Sequence, residues 1–97
     1  MQEYINKIFH STQPYPEIKV QGENLYYAEI LMDDFAGSLS EYTAIGQYLN
    51  HSFYSRKVDD DLANMWIQIA IVEMHHLDIL AQLITLLGGR PVYRESF

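Results

Sequence analysis

A chain of 97 residues is long enough for one modest core and no more, and its 48% apolar content argues against disorder. Its formal net charge of -7, with six Lys and Arg in all, excludes a phosphate-binding surface, so no nucleic acid is expected as a partner. Cysteine is absent, which excludes disulfides, thiolate metal sites and iron-sulfur clusters.

The N-terminus MQEYINKIFH has neither the basic start nor the apolar core of a signal peptide, and no uninterrupted apolar run reaches ~18 residues. The expectation is a soluble, cytoplasmic protein with no membrane partner. Residues 1–22 form a separate unit, because Pro14 and Pro16 bracket Tyr15 and Gly22 closes the segment. Proline fixes its own backbone and restricts the residue before it, so an extended arm is predicted, with a short helical turn ahead of it. Tyr15, Ile18 and Val20 could cover a neighbouring subunit.

Residues 23–97 are predicted to be a helical hairpin domain. No proline falls between Asn24 and Ser52, and Asn24 suits a helix N-cap. One helix is predicted here, roughly 43 Å long. Its seam runs Tyr27, Leu31, Asp34, Ser38, Glu41, Ile45, Tyr48, Ser52, with Tyr26, Ile30, Phe35, Leu39, Tyr42 and Leu49 widening the buried face. Gly37-Ser38 lowers helix propensity inside it. A second helix starts at Asp59 or Asp60, where acidic residues suit the N-terminal dipole. Its seam reads Leu62, Trp66, Ile69, Glu73, His76, Leu80, Leu83, Leu87, and Gly88-Gly89 with Pro91 ends it.

The fold class is therefore all-α: an antiparallel two-helix hairpin. Both helices carry more apolar surface than one hairpin covers, so two copies are expected to dimerise into a four-helix bundle, alone or in a larger homo-oligomer.

The apolar run IVEMHHL, residues 71–77, contains a carboxylate and two imidazoles. Buried charge is costly unless paired or metal-bound. Glu73 and His76 stand three apart and project from one helical face, as a pair able to grip one metal ion. Glu41 adds a second carboxylate on the partner helix. One chain thus offers Glu41, Glu73 and His76, half the donor set of a carboxylate-bridged di-metal bundle, and a dimer completes it with two ions. His75 points about 200° away from Glu73 and suits a surface or interface role, as do His10 and His51. Tyr48, two turns beyond Glu41, could place its hydroxyl on a carboxylate of the partner or simply be a core tyrosine. Asp34 could guide ions inward, and it suits the solvated end of the seam better.

AGSLSEYTAIGQYL followed by IAIVEMHHLDILAQLITLLGGRPVY resembles the ferritin-like superfamily, most of all manganese catalases and the related rubrerythrin-type and bacterial ferritin-like proteins. That resemblance implies Glu41, Glu73 and His76 as metal ligands and Tyr48 as a tyrosine near the metal pair. It further implies a homodimer holding two manganese or iron ions, acting on peroxide or dioxygen. Family members usually carry four helices in one chain, so this one looks like a half-length member. Hydrogen peroxide decomposition is the expected activity, with Fe(II) oxidation and iron storage, or a structural helical module with a vestigial site, as alternatives.

Overall fold

The computed structural model describes residues 11–37 and 40–93, and among these every regular element is helical. Residues 11–23 run without helix or strand. Three helices follow: α1, Leu25–Ala36; α2, Glu41–Ser55; and α3, Asp60–Leu86. The turn expected before the arm, with His10, lies outside the described residues, as do Ser38 and Leu39.

The helix ends are set by local chemistry. Asn24 caps α1 by accepting the Tyr27 N–H at 3.1 Å, and Asp59 caps α3 by accepting the Asp61 N–H at 2.9 Å. At the far end of α3, Gly88 N–H donates to Thr85 O at 3.0 Å and Gly89 N–H to Ile84 O at 2.9 Å. This is a Schellman stop, and Gly88 supplies the left-handed residue it needs, with φ of 95°.

The single first helix predicted from Asn24 to Ser52 is broken between α1 and α2. Gly37 ends α1, its N–H donating to Asp33 O at 2.8 Å, and the Ser40 hydroxyl opens α2 by accepting the Thr43 N–H at 3.3 Å. A residue of poor helix propensity followed by a buried serine cap outweighs the continuity of the apolar pattern. The hairpin topology survives the break. Asn24 N–H bonds Leu87 O at 2.8 Å at one end, and Tyr48 stacks on Trp66 with ring centroids 5.6 Å apart toward the other. Both halves therefore run antiparallel to α3.

The buried faces match the predicted seams in part, with Phe35, Ile45, Ser52 and Leu87 buried as expected. In α1, Ala28, Phe35 and Ala36 are buried with Ile84 and Leu87, whereas Tyr26, Tyr27 and Ile30 are exposed. In α3 the deepest positions are Ala63, Ala70 and Ile84, one residue on from the seam through Leu62, Ile69 and Leu83. Small alanines let α2 approach, which turns that side of α3 into the contact. By length and composition α3 could cross a membrane. Within the chain the arm makes two contacts: Val20 packs against the core and Tyr15 against His75.

The result is a slab with extents of 48 × 33 × 13 Å. Its radius of gyration is 16.0 Å, against about 12.5 Å for a compact chain of this length.

Three glycines test this packing. A methyl at Gly89 would meet Ala28 Cβ at 2.9 Å and Ile84 Cγ2 at 3.1 Å, both apolar atoms of the α1–α3 contact. Gly89→Ala should destabilise by about 1–3 kcal/mol, and Gly88→Ala by about 1 kcal/mol through its backbone. Gly46, mid-helix with nothing within 4 Å, should gain about 0.5–1 kcal/mol on Gly46→Ala. Urea midpoints at constant slope measure all three.

Candidate metal centre

The α1–α2 break sets the register of Glu41, since the Ser40 cap makes it the first residue of α2. Opposite it, α3 presents Glu73 and His76 one turn apart. One ligand atom from each of Glu41, Glu73 and His76 lies within 4.8 Å of the others, and all three residues are half-buried. These three residues, expected as ligands from their spacing, their apolar seams and the family resemblance, are brought together.

They line an open cavity of about 400 Å³ together with Asp34, Ser40, Ala44, Ile79 and Leu80. His76 Nδ1 stands 3.6 Å from Glu73 Oε1, too far for a hydrogen bond. Glu41 Oε2 is buried and has no hydrogen-bond partner. A carboxylate oxygen so placed carries a desolvation cost that no hydrogen bond to this atom from the described residues offsets.

Glu41 is correspondingly perturbed. Burial pushes its carboxyl up from 4.5 to about 7, helped by a hydrogen bond with Glu73, by the negative charge of Glu73 and by that of Asp34. Its position at a helix N-terminus favours the anion, and that effect is outweighed. A proton shared between the two carboxyls would ease their repulsion, and a cation would do the same.

Asp34 was expected at the solvated end of the seam. It is exposed, as expected, and it also lines the cavity, where its charge reaches Glu41. Its place on the Glu41 stripe was the available signal. Tyr48 is not brought to the cluster: its ring stacks on Trp66 and meets His51 edge-on, with centroids 6.5 Å apart in the latter case. His51 also packs on Trp66 at 4.7 Å, and His75 lies outside the cavity. Ser40, a cap and cavity wall at once, was missed because capping depends on a break that the apolar pattern conceals.

The donor set suits a hard or borderline cation. Two carboxylates and an imidazole, without thiolate, match iron, manganese or zinc better than copper(I). The unpartnered Glu41 oxygen fits the same reading, since a ligand oxygen left without its ion has no other partner to find.

Comparison with known proteins points the same way. The chain is 35% identical over 79 residues to a probable manganese catalase of Clostridium acetobutylicum, a match covering 81% of this chain and 34% of that protein. The crystal structure of KatB, a manganese catalase from Anabaena, superposes with a TM-score of 0.69 at 28% identity, covering 84% of this chain and 36% of that one. A structure of wild-type KatB gives a TM-score of 0.67 at 29% identity with the same coverage. The chain thus spans about a third of the length of these relatives. The ferritin-like domain model matches residues 39–96, more than half of the sequence, and the chain belongs to the ferritin-like family.

Proposed function

We propose that this chain supplies half of a di-metal carboxylate centre, binding manganese or iron, and that two copies together decompose hydrogen peroxide. The observation that carries the reading is the Glu41, Glu73 and His76 cluster with its buried, unpartnered Glu41 oxygen. Similarity to manganese catalases favours peroxide as the substrate. The broader family match fits Fe(II) oxidation equally well, which keeps that activity as the second reading.

In this proposal Glu41 and Glu73 balance the charge of the cations and His76 gives a neutral nitrogen donor. A second copy adds the same three residues across a twofold axis, giving the four carboxylates and two imidazoles of a full set. The metal pair, when bound, supplies the two-electron capacity that converts two peroxides into dioxygen and water. Asp34, at the cavity wall, draws cations toward the cluster. Ile79 and Leu80 limit water around it. Tyr48 remains in the proposal as a hydroxyl for a carboxylate of the second copy. A cytoplasmic location accords with the cysteine-free composition.

Protein grown with both iron and manganese, and kept from chelators, should carry about one metal ion per chain by plasma mass spectrometry. The Glu73→Ala, His76→Ala double variant should carry none and lose peroxide turnover. A metal-free wild-type protein would sink the proposal. Ferric mineral formed from Fe(II), without peroxide turnover, would select the second reading.

Proton and metal compete for Glu41. Below pH about 7 the metal must displace a proton, so uptake should strengthen by ~tenfold per pH unit up to that point and level off above it. The metal-free fold holds a proton that the unfolded chain releases between 4.5 and about 7. Its stability is therefore greatest at the acid end of that window and falls as pH rises through it. Glu41→Gln should flatten this slope and stabilise the metal-free protein at pH 8 by on the order of 1 kcal/mol, a value reduced for the solvent reaching a half-buried group. The same variant should bind metal poorly. Denaturation at pH 5 and pH 8, beside metal titration, measures both effects.

A further inference from the structure

Resting on the metal reading above, we infer that the N-terminal arm is a working part of the centre: Tyr15 packs on the His75–His76 pair and fixes the plane of the His76 imidazole. The Tyr15 ring stacks on His75 with centroids 5.1 Å apart and planes 29° apart. It meets His76 edge-on at 6.3 Å and 85°. His76 lines the cavity and Tyr15 does not, so Tyr15 meets the His76 ring from outside the cavity.

The His76 side chain is 42% exposed, against 20% for Glu73, and its 3.6 Å separation from Glu73 is longer than a hydrogen bond. The torsion that turns an imidazole about its last bond is soft, so a ligand histidine needs an outside contact to settle its plane. Tyr15 provides one at low entropic cost. Pro14 and Pro16 on either side restrict the backbone of the segment to extended conformations before it docks. His75 gains a role in the same arrangement, as the platform for the Tyr15 face, which accounts for two adjacent histidines where one binds metal. The contact is made by the ring, so phenylalanine should serve at position 15 and leucine should not.

The test uses the full chain as wild type, Tyr15→Phe and Tyr15→Leu. In the metal-free proteins, imidazole proton shifts should show the tyrosine ring current on His75 and His76, keep it in Tyr15→Phe, and lose it in Tyr15→Leu. Manganese(II) affinity should fall about 3- to 10-fold in Tyr15→Leu and return in Tyr15→Phe. Wild-type His76 shifts or wild-type affinity in Tyr15→Leu overturns the inference. Wild-type protein that takes up neither manganese nor iron overturns the function proposed above, and the imidazole shifts then decide the positioning by Tyr15 on their own.

Discussion

The apposition of Glu41 and Glu73 is the constraint on which the rest of the structure turns. Two carboxyls facing each other across a helix pair, in a seam walled by Ile79 and Leu80, repel when both are ionised, and a proton or a cation between them relieves that cost. In the free chain that cost shows as a raised Glu41 carboxyl and an oxygen without a partner. The packing supports the apposition. Ser52 and Ala63 have no exposed surface and Ala70 has none either, so α2 and α3 meet over small residues, and larger ones would hold the carboxyls apart. The cost of the arrangement is paid in the fold; its return lies in what the site can bind.

Much of this was legible in the sequence because the signals were local. Glu73 and His76 share a face by the geometry of one helix turn, and the caps at Asn24 and Asp59 and the stop at Gly88-Gly89 each depend on a few neighbouring residues. The break at Gly37–Ser40 was less legible because apolar residues continue across it, from Phe35 and Ala36 to Ile45. Periodicity reports which side a residue faces and says little about whether the backbone between two turns is continuous. The exact buried stripe of α3 was also hidden. A one-residue choice between Leu62, Ile69 and Leu83 and their neighbours Ala63, Ala70 and Ile84 is decided by how closely the partner helix can approach. The docking of Tyr15 on His75 joins residues far apart in sequence, and no spacing rule anticipates it.

The thinness of the molecule bears on the site as well as on the fold. A 13 Å slab is about one helix layer deep, so each helix has a neighbour at its side and none across the layer. Ile71 and Met74 are exposed on the helix that carries Glu73, and His76 keeps part of its ring in solvent. Apolar exposure and an incomplete donor set therefore occur together on α3. A layer of helices laid over the Glu73 and His76 face would add ligands opposite them, while Ile71, two residues from Glu73, points away from that face. In the relatives, the remaining two thirds of the chain is available to do this. In the proposal a second copy does it, and because the donors already stand on the helices that such a copy would cover, assembly and metal binding become one linked equilibrium: each ion held between two copies strengthens their association, and each association raises the affinity for the ion.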